Sequence, residues 1–524
     1  MTEPAQATDG EFAAMGMLVA AHARRMPGKL AMISPNGNRT WAQLNARANQ
    51  LVRALRRAGL EPGDGVALLA HNGPEFMETW AAVQRSGFRL TAVNWHQSPE
   101  IIAYVVDNCD ARALVASARF AAGATEAAKL SDKLKVKLAF AGSIPGFDDY
   151  ETVVSKESPE NITDGKAGTT MLYTSGTTGR PKGVYRKTPA VSQLTSRVNE
   201  TAAWNPATDI ALVTGPLYHA APLGINMVIP INAGVTVLLQ DKWDAEDTLR
   251  LIEQYKATHT HVVPTMMHRM LQLPEAARKR YDISSMRWIM HGAAPCPAHV
   301  KQAMMEWFGP VIHEYYSSTE GGGVYVGPHE WLKKPGTVGK AVPGVDIKLA
   351  DERGNPTPPG KEGLIWVKAP EVGRFEYYKE PGKTKASYIG DWFTLGDMGR
   401  FDEDGDLFLT GRTAELIISG GVNIYPVEID EVLIRHEGVA DAAVVGVPNE
   451  DWGEEIKAVV ELKPGWDPTP ETAQSIIDFA RDKLPGFQRP RTVDFVDALP
   501  RSPAGKVLRA QVRAPYWKGR SKSI

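Results

Sequence analysis

Apolar residues alternate between two spacings over the first three hundred or so positions of the chain. Residues 42–58 carry leucines and a valine at helical spacing, and Gly59 stands where such a helix would end. Residues 235–239 are a short apolar, β-branched run of the kind found in buried parallel strands. A helical pattern at 245–255 separates this run from a second predicted strand at 258–263. This alternation predicts an α/β architecture in which helices cover sheets.

The pattern changes after about residue 335. Between 339 and 409, short strand patterns are divided by glycine and proline turns, which predicts a β-rich subdomain. Beyond Gly411 we expect two helices among three strands, which is a small α+β domain. The predicted helices are 426–436 and 472–484, and the predicted strands are 442–447, 456–462 and 493–496. A chain of 524 residues exceeds the size of a single hydrophobic core, so at least two domains are expected.

Composition narrows the class of protein. The 59 basic and 61 acidic residues nearly balance, which gives no electrostatic sign of nucleic-acid binding. The two cysteines form no metal-binding or redox motif and cannot make a disulfide framework, so a reducing, cytoplasmic setting is expected. The acidic N-terminus is unlike a signal peptide, and no run approaches the ~18 apolar residues of a membrane-spanning helix.

A Ser/Thr/Gly-rich segment, residues 173–183, interrupts the α/β pattern. Its glycines would let backbone N–H groups approach an anion, its hydroxyls add donors, and a lysine adds positive charge. These residues are Thr174, Ser175, Gly176, Thr177, Thr178, Gly179, Lys182 and Gly183. Pro181 and Gly183 exclude a Walker A loop. A flexible surface loop is the alternative, but the apolar residues before and after the segment favour a triphosphate-binding loop.

This run resembles the signature loop of the adenylate-forming enzymes, which include acyl-CoA and aryl-CoA synthetases, luciferase and the adenylation domains of peptide synthetases. Further matching stretches follow in the family's order up to residue 506, and residues 68–88 also resemble the family. The resemblance implies a large N-terminal domain, residues 1–411, a hinge at 412–414, and a small mobile C-terminal domain, residues 415–524. It also implies ATP, Mg2+ and CoA as cofactors.

Several segments carry the resemblance at the nucleotide site. The resemblance implies that one stretch binds adenine and magnesium, with Thr319 contacting a phosphate and Glu320 binding Mg2+. This stretch is Tyr315, Tyr316, Ser317, Ser318, Thr319 and Glu320. A second stretch lines the adenine and the acyl pocket: Gly292, Ala293, Ala294 and Pro295. Asp397 would bond both ribose hydroxyls, and Arg412 would lie near ribose and phosphate. Taken singly, the stretch that begins at Tyr315 would also fit a polar turn, and the stretch that begins at Gly292 would also fit core packing. Asp397 and Arg412 would also fit ordinary surface charges.

The remaining matches concern the acyl group, the lysine and CoA. The resemblance places Tyr218 and His219 beside the carboxylate substrate, and we assign His219 no proton transfer. Lys506 would neutralise charge as the carboxylate attacks the α-phosphate. The loop 416–425 would meet the pantetheine arm of CoA through Gly420, Gly421 and Tyr425, although a plain hairpin turn is an alternative.

The predicted function is an acyl-CoA ligase that forms acyl-CoA, AMP and pyrophosphate through an acyl-adenylate. Residues 93–99 and 291–321 are most similar to synthetases for fatty or bulky polycyclic acids. Ala414 stands at the hinge where relatives commonly carry Asp or Lys, so an enzyme proficient in one half-reaction, or one with another acyl acceptor, is an alternative. A non-catalytic nucleotide-binding protein is a second alternative. The expected partner is a small carboxylic acid, with no nucleic acid or integral membrane segment, and the expected state is a monomer or homodimer.

Overall fold

The central sheet of the protein has nine strands, of which the inner six are parallel. The structure is a computed structural model and describes residues 8–174, 180–188, 193–419, 422–449, 452–502 and 505–518. In spatial order the strands are Lys340–Ala341, Val324–Val326, Ile312–Tyr316, Trp288–His291, His259–Val262, Ile210–Val213, Thr236–Leu239, Leu30–Ile33 and Arg39–Thr40. These parallel strands are largely buried, and the apolar runs of Ile210–Val213 and Thr236–Leu239 are typical of such strands.

A second sheet of six parallel strands lies beside the first. Its spatial order is Asp148–Asp149, Val136–Phe140, Ala111–Ser117, Gly65–Leu69, Arg89–Ala92 and Thr169–Thr170. One buried cluster joins the two sheets through the helix Trp41–Arg57. This helix begins with a capping box between Thr40 and Gln43, and its Trp41, Leu44 and Leu55 are fully buried. Each such side chain contributes about 1.5–3 kcal/mol on burial.

Two antiparallel sheets complete the large domain. A three-stranded sheet contains Glu376–Tyr377, Lys182–Tyr185 and Leu172–Thr174. A six-stranded sheet contains Ile347–Ala350, Gly363–Lys368, Tyr388–Ile389, Trp392–Phe393, Asp397–Phe401 and Leu407–Arg412. These strands confirm the predicted β-rich subdomain between residues 339 and 409.

The C-terminal part of the chain forms a separate five-stranded sheet. In spatial order its strands are Val422–Ile424, Ile417–Ser419, Gly453–Leu462 and Val439–Asn449, and Thr492–Phe495 pairs with Gly453–Leu462. The prediction of three strands was therefore wrong. Ile417–Ser419 and Val422–Ile424 lie in the segment predicted to be a loop, because three residues are too few to show a strand period.

The helices agree closely with the predicted pattern. Residues 245–255 form a helix at the predicted bounds, and Asp244 caps it by accepting from the backbone of Asp247. The α-helices are Asp9–Ala14, Leu18–Arg25, Trp41–Arg57, Pro74–Ser86, Pro99–Asn108, Ala121–Leu130, Tyr150–Val154, Gln193–Ala202, Ile229–Asn232, Ala245–Tyr255, Pro264–Leu271, Glu275–Arg280, Ala298–Phe308, Pro328–Lys333, Pro381–Ala386, Pro426–Leu433, Pro470–Arg481 and Arg509–Arg513. The π-helix Pro222–Val228 and the 3-10 turns Ala118–Phe120, Thr413–Glu415, Gly486–Gln488 and Ala514–Trp517 connect them. Among the described residues, no helix is both long and apolar enough to cross a membrane.

Candidate active site

The candidate site lies at the carboxyl edge of the central sheet, where ligands bind in open parallel sheets. The parallel neighbours Trp288–His291 and Ile312–Tyr316 both end there, so the segments 292–295 and 317–320 leave the sheet side by side. Gly292 is required at this crossing because a Cβ atom would stand 2.6 Å from the ring of Tyr315. Ala293, which follows, has a positive φ of 69°. The backbone next to the predicted adenine pocket is therefore tightly constrained.

Asp397 is the centre of a buried hydrogen-bond network. The hydroxyl of Tyr316 donates to Asp397 Oδ2 over 2.8 Å, and Arg412 Nε lies 2.6 Å from Oδ1. Burial and the carboxylate raise the pKa of Tyr316. Burial opposes the charge of Arg412, but Asp397 and Glu415 outweigh it, so the pKa of this guanidinium is raised. Two antiparallel strands, Asp397–Phe401 and Leu407–Arg412, pair these residues directly.

Glu320 is held by a second network. Its buried carboxylate accepts a hydrogen bond from the hydroxyl of Tyr377 over 2.9 Å. Arg186 donates to the backbone carbonyls of Thr319 and Glu320 over 3.0 and 2.7 Å, which fixes the segment that carries the carboxylate. Lys182 lies over the Tyr377 ring at 4.7 Å from its centre. The structure thus brings Lys182, from the glycine-rich segment, to the same place as Glu320.

A group of three aspartates is the other candidate for binding a cation. Asp402, Asp404 and Asp406 are the only cluster of at least three potential ligands found within the described ranges. Lys334 Nζ lies 2.7, 2.6 and 2.8 Å from their carboxylates, so an internal ammonium group already occupies the position that a cation would take. The predicted metal ligand, Glu320, lies outside this cluster.

Lys506 reaches the site from the small domain. The turn before it is closed by hydrogen bonds between Ser502 and Lys506, from Ser502 N to the Lys506 carbonyl at 2.7 Å and from Lys506 N to Ser502 Oγ at 3.2 Å. The side chain is partly buried and lies within electrostatic range of Arg412 and Asp397. Burial and Arg412 lower the pKa of Lys506, and Glu415 and Asp397 oppose this effect.

His219 lies in the connection between the strand Ile210–Val213 and the π-helix, as expected for a strand-to-helix loop. Its Nε2 atom is buried and has no hydrogen-bond partner among the described residues. Burial lowers the pKa of His219 to about 4, with a smaller effect from His96. The ring of Tyr218 stands 4.5 Å away, and the Tyr218 hydroxyl is hydrogen-bonded to His96 Nδ1 at 2.8 Å. This neutral imidazole has an unused polar atom.

Tyr425 and Gly411 meet at the seam between the large and small domains. A Cβ atom on Gly411, whose φ is 150°, would stand 2.9 Å from the Tyr425 ring. Only a glycine lets this ring approach the backbone so closely. Tyr425 is buried and caps the N-terminus of the helix Pro426–Leu433.

Part of the predicted nucleotide site cannot be placed. Ser175, Gly176, Thr177, Thr178 and Gly179, together with Gly420 and Gly421 of the predicted CoA loop, lie outside the described residues. Thr174 ends the strand Leu172–Thr174 and pairs with Lys182 across the antiparallel sheet. Ser317 and Ser318 bond within their own turn, through the carbonyl of Gly321. Ala294 and Pro295 follow Ala293 without forming a helix or strand.

Sequence reasoning missed Arg186 and Tyr377. The partners of Arg186 are carbonyls more than 130 positions away, and backbone acceptors leave no trace in a sequence. Tyr377 comes from the β-rich subdomain, on a strand of two residues. A partly buried basic residue directly after the strand Lys182–Tyr185 was the available signal for Arg186.

Comparison with known proteins places this geometry in a family. A model described as "AMP-binding enzyme" matches residues 19–378, and one described as "AMP-binding enzyme C-terminal domain" matches residues 428–506. The indoleacetate–CoA ligase of Aromatoleum aromaticum is 32% identical over 510 residues, which cover 94% of this chain and 96% of that protein. The fatty acid–[acyl-carrier-protein] ligase ScoC of Streptomyces coeruleorubidus is 30% identical over 512 residues, 96% of each chain.

A solved structure agrees with these matches. ATP-bound MatB from Rhodopseudomonas palustris has a TM-score of 0.81 and 29% identity, covering 96% of this chain and 99% of that one. The agreement extends over both domains, and it confirms the predicted combination of a large N-terminal and a small C-terminal domain. The chain therefore belongs to the AMP-binding enzyme family, the adenylate-forming enzymes that its sequence resembles.

Proposed function

We propose that this chain activates a carboxylic acid with ATP and passes the acyl group to CoA, releasing pyrophosphate and then AMP. The observation that carries the proposal is the position of Lys506, a partly buried cation of the small domain that lies within electrostatic range of Asp397 and Arg412 of the large domain. A lysine delivered to an acid and an arginine by a separate domain suits a reaction in which phosphate charge must be stabilised for only one step.

The nucleotide would lie along the edge of the central sheet. Asp397 already accepts from Tyr316 and Arg412, but a carboxylate has about four lone-pair positions, so both ribose hydroxyls can still bind it. Arg412 would then face the ribose and phosphates, and the segments 292–295 and 315–318 would flank the adenine. Lys182 and the residues before it would bind the triphosphate.

The residues around Glu320 fit a magnesium ion. Glu320 offers a buried carboxylate oxygen, and one or two carboxylates with substrate phosphates are the usual protein contribution to Mg2+ binding. When bound, the ion would neutralise charge on the ATP phosphates. Tyr377 and Arg186 would hold the Glu320 side chain and backbone in place for this role.

The two half-reactions would use different faces of the small domain. In the first, Lys506 stabilises the α-phosphate as the substrate carboxylate attacks it. In the second, the small domain would turn about residues 412–414, withdrawing Lys506 and bringing Gly420, Gly421 and Tyr425 towards the pantetheine arm. Hinge residues need not be polar, so Ala414 is compatible with this rotation.

The acyl substrate is proposed to be a fatty or bulky polycyclic acid. Support comes from the aromatic layer beside His219, in which Trp95 stacks on Phe120 at 4.8 Å and meets Tyr218 edge-on at 6.0 Å. The uncharged His219 suits an apolar acyl group with its carboxylate nearby. The names of the two relatives, an indoleacetate ligase and a fatty-acid ligase, include both an aromatic and an aliphatic acid.

A second candidate function differs from the first in the molecule that accepts the acyl group. ScoC is named for transfer to an acyl-carrier protein, so an acyl-adenylate made by this chain could be transferred to such a protein instead of CoA. Each acceptor can be supplied separately to the full chain, with release of AMP as the common measurement.

The test is a panel of acids with ATP, Mg2+ and CoA, read by mass spectrometry of the CoA ester and by ATP–pyrophosphate exchange. Decanoic acid, indole-3-acetic acid and cholic acid represent fatty, aromatic and polycyclic substrates. The expected result is exchange and CoA-dependent thioester with a fatty or polycyclic acid. Absence of both signals across the panel contradicts the proposed function. Exchange without CoA ester, together with AMP release that depends on an added acyl-carrier protein, favours the second candidate.

A further inference from the structure

The helix Pro264–Leu271 of the large domain contacts the small domain directly. Thr265 Oγ1 donates to the carbonyl of Gly505 over 2.9 Å, and His268 Nε2 lies 2.8 Å from the carbonyl of Ala440. The two residues are three positions apart and so share one face of the helix. That face contacts two separate segments of the small domain, one of which is the turn immediately before Lys506.

The small domain links the two acceptor carbonyls to each other. Arg501 Nη1 donates to the Gly505 carbonyl over 2.9 Å, and the same guanidinium is paired with Asp441, the neighbour of Ala440. The turn at Gly505 has a φ of 80°, and a Cβ atom there would stand 3.3 Å from Thr265 Cβ. Arg501 therefore joins the two segments of the small domain that carry the acceptor carbonyls.

We propose that Thr265 and His268 are positioning residues that hold the small domain in the orientation in which Lys506 enters the site. The proposal rests on the proposed function, in which Lys506 serves the first half-reaction only. Both hydrogen bonds join the two domains, so they exist in this orientation and must break when the small domain turns. They stabilise the orientation for acyl-adenylate formation relative to the one for thioester formation.

The size of the effect follows from the strength of the bonds. A hydrogen bond of this kind contributes about 1 kcal/mol, which corresponds to about a five-fold change in the ratio of the docked to the undocked orientation. Removing both would reduce it about thirty-fold if the two contributions add. The nucleotide contacts of Asp397 and Glu320 belong to the large domain, so the affinity for ATP should not change.

The test compares the two half-reactions in the full chain. Thr265→Val and His268→Leu should each lower kcat for ATP–pyrophosphate exchange about five-fold, with the best acid of the panel above, without changing KM for ATP. Thioester formation from the separately prepared acyl-adenylate of that acid should stay within two-fold or so of the unaltered chain. Thr265→Ser and His268→Gln keep a donor and should restore exchange. Thr201→Val, which removes a hydroxyl bonded within the large domain, is the matched control.

Equal loss of both half-reactions, or no recovery in Thr265→Ser and His268→Gln, would overturn the positioning role. So would an effect of the same size in Thr201→Val. These outcomes differ from a failure of the proposed function, in which the unaltered chain itself lacks exchange with every acid.

A second measurement tests the docking without any substrate. Spin labels on cysteines introduced at the exposed positions Lys279 and Gln474, one in each domain, report the interdomain distance in the ligand-free chain. Cys296→Ser removes the partly exposed native thiol. The double variant Thr265→Val, His268→Leu should broaden the distance distribution or shift it away from the docked value. An unchanged distribution would overturn the proposal.

Discussion

The large and small domains build their shares of the candidate site in different ways. Asp397 and Glu320 are buried and held by hydrogen-bonded neighbours within the large domain, namely Tyr316 and Tyr377. Lys506 stands on a short turn of the small domain and depends on contacts between domains for its position. In the proposed function, nucleotide binding would therefore belong to the large domain, whereas the small domain would supply the charge of Lys506 for one step only.

The largest expected effect concerns the inserted charge. Lys506→Ala removes the cation that the proposal assigns to the transition state of the first half-reaction, so adenylation should fall by about 100- to 1,000-fold. Thioester formation from supplied acyl-adenylate should be nearly unchanged. ATP–pyrophosphate exchange and CoA-ester formation measure the two steps, and Lys518→Ala, at an exposed position, is the control. Equal loss of adenylation and thioester formation would contradict the assignment of Lys506 to the first half-reaction alone.

Asp397→Ala tests the contribution of the large domain to nucleotide binding. The substitution removes the proposed acceptor for the ribose hydroxyls and leaves Tyr316 and Arg412 without their shared partner. Hydrogen bonds to a charged group contribute about 1.5–3 kcal/mol, so kcat/KM for ATP should fall about 10- to 100-fold. Asp346→Ala removes a carboxylate from a surface ion pair with Lys368 and should have little effect. A normal KM for ATP in Asp397→Ala would contradict the ribose assignment.

Arg186→Leu tests whether Arg186 holds the segment of Glu320 in the position that magnesium binding requires. Two backbone carbonyls lose their donor, which costs about 1–3 kcal/mol if they remain buried, and the segment carrying the proposed magnesium ligand should loosen. We expect about a ten-fold fall in adenylation, partly restored by raised Mg2+ concentration. Titration of the exchange rate with Mg2+ measures this, with Arg250→Leu on an exposed helix as control. A uniform loss at every Mg2+ concentration would contradict the positioning of Glu320.

The smallest expected effect is a difference in acid sensitivity. Burial lowers the pKa of His259 to about 4 and the pKa values of His261 and His313 to about 3, and all three lie on central-sheet strands. These groups stay neutral when folded but bind protons when unfolded, so their contribution to stability is complete above pH 6.5 or so and is lost progressively as the pH falls towards 4. The C-terminal residues 415–524 contain one histidine, His436.

Hydrogen exchange of the full chain at pH 7 and pH 5, corrected for intrinsic rates, measures this difference. Protection of the central sheet should decrease more than protection of the small-domain sheet. His261→Gln replaces one titrating ring that is bonded to the Tyr315 hydroxyl, and it should reduce the pH dependence of the central sheet. An equal decrease in both domains would show that the histidines do not cause it.

The fold was largely predictable because local signals agreed with the tertiary structure. The helix at 245–255 has an Asp cap and an apolar face, and both signals lie within eleven or so residues. The strands Gly65–Leu69 and Thr236–Leu239 are short, mostly apolar runs that are typical of buried parallel strands. In contrast, Ile417–Ser419 and Val422–Ile424 are too short to show a period, and their pairing depends on neighbours such as Gly453 far along the chain.

The candidate site was predictable where a side chain itself matches a motif, as at Asp397 and Lys506. It was not predictable where a residue acts on a distant backbone. Arg186 and Thr265 both donate to carbonyl groups, whose positions depend on the fold and not on the identity of the accepting residue. The roles of the motif residues remain predictions until the variants above are measured.

The seam at Gly411 and Tyr425 has a practical consequence for recombining such enzymes. The last strand of the large-domain sheet ends at Arg412, the first strand of the small-domain sheet begins at Ile417, and the two sheets share no strand among the described residues. A chimaera joined between these strands would keep every sheet intact. The enzyme that supplies the first part would need a glycine at the position of Gly411, and the one that supplies the second part would need an aromatic ring at the position of Tyr425, because this packing contact crosses the splice.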